Sequence, residues 1–262
     1  MDLGSSRGHG DGGRCRGGVV WTSKQIEVGM LPGTGRMAKA LAKHFCRAGL
    51  HVLVGSRDPS KAEVVATSLN HHLHEDVSGS ATFLGSSSTS LMPMGTAVGL
   101  PNRDVASRAQ IIVWSPRGTL EERASLLKEL APHLHGKIIV DVSNIGYCID
   151  EAEWGQSSST LFNQAALGVD ARWTTAFKAT FAHVLENGGH EGRVESTIVC
   201  GDDADAVKTT IALVETVPGF VGIHGGGLKN TKILELLGPP WLIELDKLNA
   251  HGSHSSGWHY VT

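Results

Sequence analysis

Val28-Gly29-Met30-Leu31-Pro32-Gly33-Thr34-Gly35-Arg36-Met37-Ala38 is the stretch on which the reading of this chain turns. A short apolar run leads straight into Gly-x-Gly-x-x-Ala. Met37, Leu41, Phe45 and Ala48 then recur at three-to-four spacing until Gly49, which is the pattern of a helix with a glycine at its end. In a strand, turn and helix of this kind the first glycine makes the turn and the second lets backbone approach a pyrophosphate. A third small residue lets the helix pack on the strand. Gly33, Gly35 and Ala38 fill those places. Phosphates would sit at the helix N-terminus, where unpaired N–H groups and the dipole favour negative charge. With 33 glycines in 262 residues the triplet alone carries little, so its weight comes from its position between strand and helix.

Composition narrows the classes around that turn. A 40% hydrophobic content supports a proper core, and a formal charge of -3 gives no basic field for nucleic acid, which is excluded as a partner. The longest apolar runs, such as Ile111-Ile112-Val113-Trp114, are strand-sized, far short of the roughly 20 residues of a spanning helix, so no membrane partner is expected. Cys15, Cys46, Cys148 and Cys200 show no Cys-x-x-Cys spacing; they read as free thiols in a reducing, cytoplasmic setting. Residues 1–23 are rich in Gly, Ser and Arg and read as a mobile tail. Their Gly4-Ser5-Ser6-Arg7-Gly8 matches a nucleophile elbow in form but lacks the flanking strand and helix.

Further along, His51-Val52-Leu53-Val54-Gly55 is a second strand, and the residues after it select the cofactor. A site for NAD places an acid there to grip the ribose 2′-hydroxyl, whereas a site for NADP leaves the place uncharged and brings up arginine. Ser56 is neutral, Arg57 can fork toward a 2′-phosphate, and Lys61 adds charge from the next helix, so NADP is the expected cofactor. Residues 70–96 break the periodicity and are expected to form a surface insertion. His71, His72, His74 and Glu75 within it read as exposed histidines, with no metal site expected.

Residues 111–114 and 137–142 read as buried parallel strands, with a helix from Leu120 to Leu130 between them. Strands alternating with helices predict an α/β fold, a doubly wound parallel sheet of the Rossmann kind with a small C-terminal α+β extension. Ligand would lie at the carboxyl ends, where Ser115, Pro116, Ser143 and Asn144 fall. A strand over 196–200 runs into Asp202-Asp203, which can cap a helix over 204–217. His224-Gly225-Gly226-Gly227 reads as the turn into the last helices, which are interrupted at Gly238-Pro239-Pro240. The expected organisation is a tail to residue 23, a dinucleotide-binding domain over 24–150 and a substrate or interface region over 151–262.

Taken in order, Gly33 to Ala38, Val54-Gly55-Ser56-Arg57 with Lys61, Asp141-Val142-Ser143-Asn144, Ala176-Phe177 and Val199 to Asp203 resemble the deazaflavin-dependent NADP oxidoreductases. That family includes the cytosolic domains of six-transmembrane ferric reductases and is related to pyrroline carboxylate reductases. The resemblance implies that Thr34, Arg36 and Met37 touch the phosphates and that Ser56, Arg57 and Lys61 hold the 2′-phosphate. It puts Ser115, Pro116 and Ala176 near the nicotinamide, and Asn144 is counted with the cofactor site. Two departures stand out: Pro32 replaces a glycine of the family, and Lys178 replaces the Asn that commonly follows Ala-Phe. Lys178 is therefore the candidate catalytic proton donor to a small-molecule acceptor. The expected activity is NADPH-dependent reduction of a small organic acceptor such as an imine, enone or ketone, with deazaflavin:NADP hydride exchange and a non-catalytic NADPH sensor as rivals. The oligomeric state, a homodimer included, is left open by the sequence.

Overall fold

The computed structural model describes residues 26–81, 94–146, 150, 155–249 and 256–261; the expected tail lies outside them. Strand β1 (Glu27–Leu31) is buried from Val28 onward and feeds helix α1 (Arg36–Arg47), whose Ala38, Leu41 and Phe45 face the sheet. Gly49, at φ +87°, ends the helix in the left-handed region that glycine adopts freely. The chain returns in β2 (His51–Ser56), parallel to β1.

Next comes α2 (Pro59–Ala81), and here the structure corrects the expected insertion over 70–96. The helix runs on through the histidines to Ala81, because Leu69 and Leu73, four apart, are buried on one face. His71, His72, His74 and Glu75 are exposed on that helix, and His71 Nδ1 lies 3.5 Å from Glu75. Asn70 pairs in both directions with Ala97, donating to its carbonyl at 2.9 Å and accepting from its N–H at 2.8 Å. That amide anchors an edge strand, β3 (Ala97–Pro101), which periodicity did not reveal. Residues 82–93 lie outside the described residues.

After α3 (Asn102–Arg108) come β4 (Ile111–Trp114), α4 (Leu120–Leu130), β5 (Ile138–Asp141), α5 (Ser159–Leu167) and β6 (Arg172–Thr175). A Thr119–Glu122 capping box starts α4, and Ser158 caps α5. The sheet is fully parallel in the order β3-β2-β1-β4-β5-β6, and its last strand comes from beyond residue 150. Its two faces are covered by separate apolar clusters. Leu41, Phe45, Ala62 and Leu69 pack on one, Val105, Leu127, Leu130 and Leu167 on the other. This is the expected doubly wound α/β fold, and its strand order reverses between β1 and β4, where ligands bind such sheets.

The remainder is α6 (Ala182–Glu186), then a crossover unit of β7 (Glu195–Val199), α7 (Ala204–Val214) and β8 (Phe220–His224), then α8 (Thr231–Leu237) and α9 (Pro239–Asn249). Asp203 caps α7 by accepting from Ala206 N at 2.7 Å. The two strands are parallel, and residues 224–227 turn from β8 into a short 3-10 stretch before α8. Among the described residues no helix is long and apolar enough to cross a membrane.

Candidate active site

The β1–α1 turn is shaped by contacts that only glycine permits. Gly33 N donates to Gly55 O at 2.7 Å, and a Cβ on Gly33 would stand 2.7 Å from Val54 and 2.9 Å from the Gly55 nitrogen. Gly35 is the N-cap of α1 and gives no side-chain cap, so the first N–H groups of the helix have no partner inside it. Above it lies Arg117, whose Nε would be 3.6 Å from a Cβ on Gly35. Arg117 is exposed on the loop after β4 and forms no ion pair among the described residues. A bare helix N-terminus beneath an uncommitted guanidinium fits a pyrophosphate. Sequence reasoning missed Arg117; its signal was the cation two residues beyond Ser115.

Arg36 was expected to touch the phosphates and does line the cavity, but it is committed elsewhere. Its Nε and Nη2 reach the two Glu186 oxygens, each at 2.6 Å. The hydrogen bond and the charge of Glu186 raise the arginine's pKa, and the hydrogen bond from Arg36 leads the causes that lower the glutamate's. Thr34 is half-buried on the turn, and Met37 lines the cavity beside it.

At the end of β2, Ser56 is buried and its Oγ accepts from Asp58 N at 3.1 Å. Arg57 is exposed with no ion pair among the described residues, and Lys61 lies 3.8 Å from Asp58. Asp58 is the nearby acid, yet its carboxylate is turned into the start of α2, accepting from Ser60 N at 3.1 Å and Ser60 Oγ at 2.6 Å. The Ser60 hydroxyl, first among the causes, holds it below its ordinary pKa. The ribose end is thus left to Ser56, Arg57 and Lys61, which fits a 2′-phosphate.

A cavity of about 1140 Å³ opens at the carboxyl edge of the sheet. Gly35 to Ala38, Ser115 to Pro116, Val142 to Asn144 and Lys178 to Ala182 form its walls. Ser115 Oγ donates to Pro32 O at 2.9 Å, tying the β4 loop to the glycine turn. Gly33, Thr34, Ser56, Arg57 and Lys61 do not line this cavity; they cluster at the neighbouring end of β2. Ala176 departs from expectation: it is fully buried and packs in the core, so it offers no surface to a nicotinamide.

Lys178 departs further. Its side chain is fully buried, and Nζ donates to Glu235 Oε1 at 2.9 Å, to Asp141 Oδ2 at 3.4 Å and, closely, to Ser143 O. Three donors meet three acceptors, which leaves no proton for an acceptor in the cavity. The expected catalytic acid is, in this structure, a buried and ion-paired cation. Sequence could not show this, because Glu235 lies 57 positions away.

Around it, four buried charges pin one loop. Asp141 accepts from Ser143 N at 2.8 Å, Lys178 holds Ser143 O, Arg123 Nη1 donates to Asn144 O at 3.2 Å, and Glu235 accepts from Ile145 N at 2.7 Å. Asn144, expected at the cofactor, lines the cavity with its Nδ2 donating to Lys178 O at 3.0 Å. A loop fixed at four consecutive points is a rigid cavity floor.

With this geometry in place, comparison with known proteins gives a consistent result. Residues 27–145 match the family described as "NADP oxidoreductase coenzyme F420-dependent". The chain is 25% identical over 232 residues to the F420-dependent NADP reductase of Methanothermobacter thermautotrophicus, covering 86% of this chain and 90% of that protein. It is 26% identical to the metalloreductase STEAP3 of Rattus norvegicus over 80% of this chain, which is 36% of that protein. A solved structure of a putative F420-dependent NADP reductase from Arthrobacter superposes with a TM-score of 0.66 at 22% identity, covering 92% of this chain and all of that one. A reductive aminase from Aspergillus terreus, solved with NADPH, shares the fold at a TM-score of 0.52 and 11% identity, over 87% of this chain and 64% of that one. The match to the F420-dependent NADP oxidoreductase family thus runs from β1 to the loop beyond β5.

Proposed function

We propose that this chain is an NADPH-dependent oxidoreductase that reduces a small organic acceptor in the cavity at the carboxyl edge of its sheet. The observation that carries the reading is the continuity of the bare glycine turn, the Arg117 guanidinium and that cavity. Gly33, Gly35 and Arg117 would hold the pyrophosphate, and Ser56, Arg57 and Lys61 the 2′-phosphate. NADPH, when bound, supplies the hydride. The protein supplies position: the pinned floor at Ser143 to Ile145 and the wall at Lys178 to Ala182 restrict where an acceptor can sit. That wall comes from the segment beyond residue 150, in keeping with a substrate role for that region.

Because the Lys178 ammonium is committed to three acceptors, an acceptor that already carries its proton, such as an iminium, suits the cavity better than a ketone. Hydride exchange with a deazaflavin is the second reading, favoured by the names of the sequence relatives. Buried, unpaired Cys46 and Cys200 accord with a reducing compartment such as the cytoplasm. The test is NADPH consumption by the full chain against a panel of imines, enones, ketones and a deazaflavin. Turnover of imines above the rest supports the first reading, and turnover of deazaflavin alone supports the second. Tight NADPH binding with no turnover of any acceptor would indicate a sensor and overturn both.

A further inference from the structure

We infer that Arg123 marks a subsite for a carboxylate carried by the acceptor, at the inner wall of the same cavity; the inference rests on the reductase reading above. Arg123 stands on the first turn of α4 and is only 5% exposed. Its Nε donates to Gly118 O at 3.2 Å, and Nη1 donates to Asn144 O and Ser159 Oγ, each at 3.2 Å. All three partners are neutral. Among the described residues Nη2 forms no hydrogen bond, and no carboxylate pairs with the guanidinium. Arginines this deeply buried are almost always paired, since an uncompensated buried charge is costly.

The acids of the pinned floor do not meet this need. Asp141 receives Ser143 N and Oγ on one oxygen, Asn163 Nδ2 and Lys178 on the other. Glu235 receives Lys178, Ile145 N and Ser159 N. The two cations and two anions balance in number, yet both anions are turned to Lys178 and to backbone N–H groups. The Arg123 side chain lines the cavity instead. Glu121 also lines it, but it precedes Arg123 by two positions on α4, a spacing that does not bring side chains together, and Asp150 is exposed. With Nε and both N–H groups of Nη1 engaged, the two N–H donors of Nη2 remain, and a carboxylate oxygen can accept from one of them in a charge-assisted hydrogen bond. The cofactor's phosphates have a separate place at Gly35 and Arg117, on the α1 side of the cavity.

The test titrates two unreactive probes of like shape, cyclopentanecarboxylate and cyclopentanecarboxamide, into the full chain with and without saturating NADP⁺. The expected result is at least roughly ten-fold tighter binding of the carboxylate, as one charge-assisted contact gives. In Arg123→Met the two probes should bind alike, while unfolding remains cooperative. Equal affinities in the unmutated protein overturn the inference, and that comparison decides the matter even where Arg123→Met does not fold. Displacement of the carboxylate by NADP⁺ also overturns it, assigning Arg123 to the cofactor. Failure of NADP⁺ to bind would sink the reductase reading, while the carboxylate preference without cofactor would still decide the subsite.

Discussion

Lys178 Nζ lies 2.9 Å from Glu235 Oε1, with the lysine side chain fully buried and the glutamate 3% exposed. The pair joins the segment after β6 to α8, and Asp141 at the end of β5 completes it. Removing the cation leaves two buried carboxylates facing each other without compensation. Lys178→Met should therefore cost about 3–5 kcal/mol, read by denaturant unfolding. A variant as stable as the parent would show that the lysine is not structural.

Arg117 over the N-terminus of α1 leads to a second prediction. Because the pyrophosphate is common to both cofactors, Arg117→Ala should weaken NADPH and NADH alike, by roughly 10-fold, with the effect shrinking at high salt. An effect confined to NADPH would move Arg117 to the 2′-phosphate.

Residues 70–81 give a third, and they show where the sequence was legible. The glycine turn, the parallel strands β1, β2, β4 and β5 and the Ser56-Arg57-Lys61 cluster follow from patterns along contiguous residues, and so could be read directly. The end of α2 could not, because Leu69 and Leu73 are separated by polar residues and histidines, and the long-range partner of Asn70 is Ala97. Arg117 and the Lys178–Asp141–Glu235 cluster were hidden for the same reason: their meaning lies in contacts between distant segments. Leu73→Ala should lower stability by about 2–5 kcal/mol, as truncation of a buried leucine does. A negligible change, read by denaturant unfolding, would return this stretch to the surface insertion expected from the sequence.

His44 supplies a pH dependence. Its buried ring donates from Nε2 to Leu185 O at 2.6 Å, next to the Glu186 that holds Arg36, and Nδ1 has no partner. Burial, opposed by the bond to Leu185, lowers its pKa from the ordinary 6.5. The folded state thus binds this proton less readily than the unfolded one. Its contribution is complete above about pH 6.5 and is lost as pH falls through that value toward the lower folded pKa, with a slope of at most about 1.4 kcal/mol per pH unit. Between pH 7 and 5, His44→Gln should show a shallower fall in stability than the parent. Identical slopes would place the acid sensitivity elsewhere.

The central claim is that the turn at Gly33 to Gly35 and the cations after β2 form an NADP site. Equilibrium titration of the full chain with NADPH and with NADH, in parallel on the parent and on Arg57→Ala, tests it most directly. The parent should bind NADPH at least roughly 10-fold more tightly than NADH, and Arg57→Ala should remove most of that preference by weakening NADPH alone. Equal affinity of the parent for the two cofactors would contradict the account.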